Sequence, residues 1–243
     1  MEKIVDFAAL RQVLTGKVAY LTGGAVFPFE PTPPDLAQVV EEARKHPKTR
    51  IAAGRRGDRL DQSLKDVGGD FKTMPLTEAV KSPIHLSLFE LGALREEGGA
   101  LAEVVAQVYL PLVDLWREQG IRWQKVYPIL FLSGPGCATN YHWDPSSVLI
   151  VQLSGRKRFH SLKDPLRWCS NETADQGREA MIRPGGLVDE DILTCELGPG
   201  DAVWSPCRAP HWLDAYDETA FTLSIAFSDI APEPTADAAM QVL

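Results

Sequence analysis

The sequence predicts a mainly β protein with flanking helices, and two observations carry this prediction. In the second half of the chain, short runs of apolar and β-branched residues alternate with turn residues, which is typical of strands; they lie at 148–153, 202–206 and 221–227. In the first half, apolar residues recur at helical spacing, most clearly over 100–116. A chain of 243 residues with 44% hydrophobic residues can bury a sizeable core.

The elements of the first half alternate between helices and strands. Helical spacing over 4–14 precedes a short strand at 17–21. Asp35 is a suitable N-cap for a second helix, because its carboxylate can accept hydrogen bonds from the first free N–H groups. Thr77 is expected to cap a further short helix, and the alternation over 83–89 predicts a strand.

The helix at 100–116 leads into the strands of the second half. Pro111 should kink or divide this helix, because proline cannot donate the intrahelical hydrogen bond. A strand over 122–133 is expected next. Regular periodicity is lost between 162 and 193, which we interpret as an irregular insertion serving as a lid or substrate-selecting loop. The basic segment at 44–59 is either a solvated loop or a patch that recruits an acidic substrate.

We expect one domain over the whole chain, because there is no internal repeat and no second composition zone. Its expected parts are N-terminal helices and first strands (1–120), a metal-binding barrel core (121–230) and a flexible tail (231–243).

The composition limits the binding partners and the cellular compartment that we expect for this protein. No run of about 18 apolar residues is present, so we expect no membrane span, and the N-terminus lacks a signal-peptide core. None of the four cysteines forms a C-x-x-C pair, which favours free thiols in the cytoplasm. A net charge of −8 argues against nucleic-acid binding. We expect a monomer or homodimer acting on a small-molecule, peptide or protein substrate.

Three residues form a candidate metal site. His142 and Asp144 are one residue apart, so on an extended strand they would share a face with backbones about 7 Å apart. His211 supplies a third ligand type after a turn and a short strand. Two histidines and one carboxylate leave coordination positions open, which suits Fe(II) and O₂ chemistry. An isolated H-x-D triplet also arises by chance, and most single histidines are structural.

Two further residues extend this pattern into a resemblance to a known family. Thr139 precedes His142 by three residues, and Lys157 follows it by fifteen. With the turn at 198–201 before His211, this spacing resembles Jumonji-C or cupin-like Fe(II)- and 2-oxoglutarate-dependent oxygenases, including asparaginyl and bacterial ribosomal-protein hydroxylases. The resemblance covers about 130–227 and implies a double-stranded β-helix (jelly roll).

The resemblance implies an activity and a co-substrate site. The family oxidises a substrate C–H bond while decarboxylating 2-oxoglutarate to succinate. The resemblance implies that Thr139 and Lys157 bind the distal carboxylate of 2-oxoglutarate. From the strand order we expect the strand of Lys157 to run antiparallel to that of His142, and Ser224, on the strand after His211, to face the co-substrate. Ala226 departs from the asparaginyl hydroxylases, which have asparagine there. His85 or Ser87 could add contacts, although a structural role for His85 is the commoner case.

Neighbouring residues and other functions leave alternatives open. Trp143 should face away from the metal because it lies between two ligands. Asp214 or Asp217 could orient a ligand histidine, although exposed carboxylates are commoner. The rival functions are an N-methyl-lysine demethylase with the same iron chemistry, and a cupin metal-binding or isomerase protein without oxygenase activity.

Overall fold

The computed structural model describes residues 1–23, 26–27, 32, 35–53, 65–66, 68–89, 98–177, 182–231 and 241–242. Most of the predicted flexible tail and residues 54–59 of the basic 44–59 segment lie outside the described residues.

Helices and strands alternate in the first half of the chain, and strands predominate in the second half. The strands are β1 (Lys3–Ile4), β2 (Tyr20–Thr22), β3 (Thr49–Ala53), β4 (Lys65–Asp66), β5 (Ile84–Leu88), β6 (Lys125–Ser133), β7 (Ser147–Ser154), β8 (Lys157–Leu162), β9 (Ile192–Leu197), β10 (Ala202–Ser205), β11 (His211–Ala215), β12 (Ala220–Ser228) and β13 (Gln241–Val242). The helices are α1 (Phe7–Val13), α2 (Leu36–Lys45), α3 (Gly68–Thr73), α4 (Leu76–Ala79), α5 (Gly99–Val104), α6 (Leu110–Glu118), α7 (Pro165–Trp168) and α8 (Asn171–Asp175).

Two sheets face each other across the second half of the chain. The large sheet has the order β1-β2-β10-β7-β12-β6-β5-β3-β4, with β13 beside β6, and the small sheet has the order β11-β8-β9. Isolated bridges at Ala138↔Asp214 and His142↔His211 add the segment 138–142 to the free side of β11. From β6 to β12 the chain therefore passes repeatedly from one sheet to the other, with β8 and β9 as a pair in the small sheet, and the predicted jelly roll is confirmed.

The chain crosses from the large sheet to the small one at the turn between β7 and β8. Gly155 makes this turn with φ +65°, and a Cβ there would lie 2.3 Å from the Thr219 carbonyl oxygen. Only glycine fits both the left-handed backbone and this close approach. The turn fixes where β8 begins, and with it the position of Lys157.

The helices pack on the outer face of the large sheet. Trp116 is fully buried there, stacks on Phe227 at 4.9 Å between ring centroids, and donates a hydrogen bond from Nε1 to the Val26 carbonyl. This apolar layer leaves the inner face of the large sheet free to line a cavity.

The helix predicted over 100–116 is a single rod with an irregular middle. A π-helical turn, Val105–Tyr109, joins α5 to α6 directly before Pro111. The wider turn accommodates the residue that cannot donate to the preceding turn, so Pro111 changes the helix type and does not break the rod. By length and composition this rod, Gly99–Glu118, could cross a membrane, but 56% of its most apolar window is buried inside the protein.

The helix and strand predictions hold with shifted ends and two corrections. Asp35 caps α2 as expected, accepting hydrogen bonds from the N–H groups of Ala37 and Gln38. Thr77 lies inside α4, whose N-cap is Pro75, so the predicted cap was wrong. The 162–193 insertion was predicted to be irregular, yet it contains α7 and α8. The single-domain organisation stays a prediction.

Candidate metal centre and pocket

A cavity of about 440 Å³ lies between the two sheets. It brings together all six predicted site residues, namely His142, Asp144, His211, Thr139, Lys157 and Ser224. A cavity of this size can hold a small dicarboxylate together with part of a further molecule.

His142, Asp144 and His211 converge at one end of the cavity. One ligand atom from each lies within 4.8 Å of the others. The imidazole centroids are 4.3 Å apart, and His211 Nε2 lies 3.6 Å from Asp144 Oδ2. Among the described residues, this is the group whose side chains could hold a metal ion.

Both histidines are oriented by backbone carbonyls two residues earlier. His142 Nδ1 lies 2.7 Å from the Asn140 oxygen, and His211 Nδ1 lies 3.0 Å from the Ala209 oxygen. A carbonyl only accepts, so each Nδ1 carries the proton and each Nε2 keeps its lone pair. Such a fixed tautomer prepares imidazole for metal binding.

The two ligand-bearing segments are hydrogen-bonded to each other. His142 and His211 exchange backbone hydrogen bonds of 3.1 and 2.8 Å, and the Arg208 N–H donates to the Asp144 carbonyl at 2.9 Å. Arg208 adopts φ +62°, which is uncommon outside glycine. The three ligands are therefore held by the backbone itself, and the strain at Arg208 accompanies that arrangement.

Burial keeps His211 neutral. Desolvation, with the nearby His142 charge, lowers the pKa of His211 to about 4, although Asp144 acts in the opposite direction. A neutral imidazole is the form that binds a metal.

Lys157 and Thr139 form a polar end of the cavity. Lys157 is only 2% exposed, and desolvation lowers its pKa to about 7. No described carboxylate forms an ion pair with it. Thr139 Oγ1 accepts a hydrogen bond from Leu213 N at 2.9 Å, so its own proton can be donated into the cavity. A carboxylate of a bound molecule would satisfy both groups.

The large sheet supplies the opposite wall. Ser224 lies on β12 in register with Ile129 and Ile150, and it is 4% exposed. Ala226, where the asparaginyl hydroxylases have asparagine, also lines the cavity. The loss of that side chain leaves this wall mainly apolar.

His85 lies deep in the same wall. Its Nδ1 is 3.1 Å from Ser133 Oγ, and its ring stacks on Phe131 at 5.4 Å between centroids. Burial, with the nearby charges of Lys157 and His142, lowers its pKa to about 3. His85 is therefore a neutral, buried histidine that nevertheless faces the cavity. Ser87, the other candidate, does not line it.

Two local expectations need correction. His142 lies at an isolated bridge and Asp144 in the following loop, so no regular strand carries the pair. The strand of Lys157 pairs with β11, not with the His142 segment. Both lie antiparallel to β11 on its two sides, so they run parallel to each other. The expectation treated these two segments as a hairpin, whereas in the jelly roll β11 lies between them.

Two side chains near the ligands have structural contacts on the far side of the small sheet. Trp143 is 4% exposed and lies in the same buried cluster as Trp212, and it does not line the cavity, as expected. Asp214 does not orient a ligand histidine, because its Oδ1 lies 2.7 Å from His160 Nε2.

The sequence did not single out Arg50, Phe89 and Tyr127, which also line the cavity. Arg50 lies on β3 within the basic segment that was considered as a loop. Only the pairing of β3 with β5 brings it to the cavity, and that long-range pairing has no local signal in the sequence.

Comparison with known proteins gives a family match over part of the chain and a shared fold. Residues 118–233 match the model of the JmjC domain. No protein of curated function is detectably similar in sequence. A crystal structure of the ribosomal oxygenase YcfD from Escherichia coli matches with a TM-score of 0.62 and 18% identity, over 97% of this chain and 54% of that one.

A second YcfD structure, in complex with cobalt and 2-oxoglutarate, matches with a TM-score of 0.50 and 17% identity, over 86% of this chain and 45% of that one. The chain thus spans about half the length of these relatives. The matched region contains all six predicted site residues and both faces of the jelly roll. Residues 118–233, just under half of the chain, therefore resemble the JmjC domain in sequence, and the chain shares the fold of these relatives.

Proposed function

We propose that this protein is an Fe(II)- and 2-oxoglutarate-dependent oxygenase that hydroxylates a C–H bond of an amino-acid side chain. His142, Asp144 and His211 hold the iron, while Lys157, Thr139 and Ser224 bind the co-substrate. The JmjC match and the fold shared with a protein crystallised with cobalt and 2-oxoglutarate support this proposal.

The observation that carries this proposal is that one cavity contains both a candidate metal site and a candidate carboxylate site. A three-ligand group stands at one end, and a buried lysine without a described carboxylate partner stands at the other. A cupin protein that only binds metal has no use for an ammonium buried to 2% exposure, because that burial is unfavourable without an anion.

The order of residues along β11 supports the same assignment. His211, Leu213 and Ala215 alternate onto the cavity side, Thr139 bonds to Leu213, and Lys157 pairs with Ala215. Along β11, the metal ligand His211 is therefore followed by the Thr139 hydroxyl and then by the Lys157 ammonium. This order suits a molecule with an oxo acid at one end and a carboxylate at the other.

Each residue then has a defined task. When bound, iron and 2-oxoglutarate supply the oxidising power, with one O₂ atom entering succinate and the other entering the hydroxylated product. The two histidines present neutral Nε2 atoms, and Asp144 supplies the negative charge. Lys157 and Thr139 orient the co-substrate through its distal carboxylate, so that its oxo acid faces the metal.

A protein or peptide side chain is the proposed substrate, since the structural relatives are ribosomal oxygenases. The cavity opens beside Asp144, whose side chain is 39% exposed, so a side chain can enter from the surface.

The test is an anaerobic titration of the apo-protein with Fe(II) and then 2-oxoglutarate. A chelate of this kind should give a visible charge-transfer band near about 500 nm. We expect the band in the wild-type protein and its loss in Lys157→Ala at limiting 2-oxoglutarate. Iron binding without the band would instead favour a cupin metal protein of another kind.

A further inference from the structure

The charges that line the cavity are unevenly distributed. Asp144 is the carboxylate among the described lining residues, and the cations are Lys157 and Arg50. Asp144 is assigned to the metal, so the described cavity wall offers no free carboxylate to an entering guanidinium or ammonium group.

Arg50 is built into the inner wall of the large sheet. It pairs with Ser87 on β5, and Ser87 pairs with Phe131 on β6. Residues directly opposite in antiparallel strands share a face, so Arg50 lies on the same face as Phe131, which lines the cavity.

Aromatic rings hold the guanidinium in place. Arg50 Cζ lies 4.8 Å from the centroid of Phe89, and Phe89 meets Phe131 edge-on at 6.5 Å. None of the ion pairs between described residues includes Arg50. A guanidinium stacked on a ring keeps its N–H edge available for a bidentate hydrogen bond with a carboxylate.

Among the described residues, no acidic group compensates the charge of Arg50 when the co-substrate is bound. The metal with Asp144 carries one net positive charge and Lys157 carries another, and the two carboxylates of 2-oxoglutarate balance both. Arg50 then remains as a positive group at the cavity wall of an otherwise acidic protein with net charge −8. A local field of opposite sign to the whole molecule selects for an anion at this place.

We propose that Arg50 binds a carboxylate of the substrate, so that the side chain to be oxidised carries or neighbours an acidic group. This inference rests on the proposed function and specifies the substrate class of the same site. The carboxylate is either an acidic side chain in a peptide or the free carboxylate of a small amino-acid derivative. Arginine and lysine side chains are disfavoured as the oxidised groups.

The experiment measures binding, not turnover. Wild-type protein is loaded with Zn(II), which is redox-inert, and 2-oxoglutarate, and is dialysed against pools of short blocked peptides. The central position of each pool is mixed, and the flanking positions are aspartate, asparagine or lysine. A second arm compares N-acetyl amino acids with free carboxylates against the corresponding amides.

We expect the wild type to retain the aspartate pool, or the free carboxylates, about fivefold more strongly than the neutral counterparts, and the lysine pool least. Arg50→Glu should reverse the order of the peptide pools or abolish the preference for free carboxylates. Arg50→Lys should keep a weakened preference, because it retains the charge but loses the planar fork.

Lys163→Glu is the matched control. Lys163 is exposed and is not among the residues lining the cavity, and the substitution changes the net charge by the same amount as Arg50→Glu. Its preference should equal that of the wild type. Equal retention of all pools by the wild type, including no retention, would overturn the inference, as would an unchanged order in Arg50→Glu.

Failure of this inference can be distinguished from failure of the proposed function. The Fe(II) and 2-oxoglutarate titration is run on the same wild-type preparation. A band without carboxylate preference refutes only the role of Arg50, whereas absence of the band refutes the oxygenase assignment.

Discussion

The two walls of the cavity differ in what they contribute. The small sheet, with the segment beside it, carries the candidate metal ligands, Thr139 and Lys157, each fixed by backbone hydrogen bonds or burial. The large sheet contributes mainly apolar side chains, buried neutral groups such as Ser224 and His85, and one described cation, Arg50. The candidate metal ligands and the cation proposed to bind the co-substrate therefore belong to one wall, whereas the other wall shapes most of the substrate space.

This difference follows from what lies behind each wall. The large sheet is covered by helices on its outer face, so both faces of its central strands are buried and these strands are mainly apolar. Behind the small sheet lies a smaller cluster around Trp143 and Trp212. Polar residues are better accommodated in a sheet whose outer face stays partly solvated.

The largest effect is expected from removing a ligand on the small-sheet side. His142→Ala or Asp144→Ala should reduce 2-oxoglutarate turnover by about a thousandfold or more, because two remaining ligands hold iron poorly. The apo-protein should unfold at nearly the same denaturant concentration as the wild type, since both side chains are only half-buried. Glu190→Ala, which removes an exposed carboxylate that does not line the cavity, is the control. Wild-type turnover in either ligand variant would contradict the metal assignment.

These ligands were also the most predictable part of the site. The H-x-D spacing, the apolar strand runs and the Thr139 and Lys157 positions are all visible within short stretches of sequence. The paired backbones of the ligand segments and the positive φ at Arg208 were not predictable, because they arise from contacts between residues more than sixty positions apart.

The next effect concerns Lys157. Lys157→Met should raise the 2-oxoglutarate concentration required for half-saturation roughly tenfold to a hundredfold, because a charge-assisted hydrogen bond is lost. The apo-protein should become more stable, since a buried ammonium is replaced by an apolar group of similar length. Arg158→Met, on the opposite face of the same strand, should leave 2-oxoglutarate binding unchanged. Loss of both stability and binding would instead indicate a structural role for Lys157.

The pH dependence of 2-oxoglutarate binding tests the same role of Lys157. Lys157 must be protonated to bind a carboxylate, and desolvation lowers its pKa to about 7 in the free protein. Affinity for 2-oxoglutarate, measured by calorimetry, should therefore fall by roughly tenfold per pH unit above about pH 7, and this slope should be absent in Lys157→Met.

The same group links stability to pH with the opposite sense. Between its folded pKa of about 7 and the ordinary value of 10.5, the unfolded chain binds more protons than the folded one. The free energy of unfolding of the apo-protein should then rise with pH across this window, relative to Lys157→Met. Parallel curves for the two proteins would show that Lys157 keeps an ordinary pKa when folded.

The smallest effect is expected from a residue on the outer face of the small sheet, away from the cavity. His160 lies on the outer face, stacked on Trp212 at 5.0 Å, with Nε2 2.7 Å from Asp214 Oδ1. His160→Ala should lower the free energy of unfolding by about 1–3 kcal/mol, because it leaves the buried Asp214 carboxylate without this hydrogen bond. Iron binding and the charge-transfer band should be unaltered, since the histidine points away from the cavity. A change in the band would mean that the outer face also positions the metal ligands. The outer face could then no longer be described as purely structural.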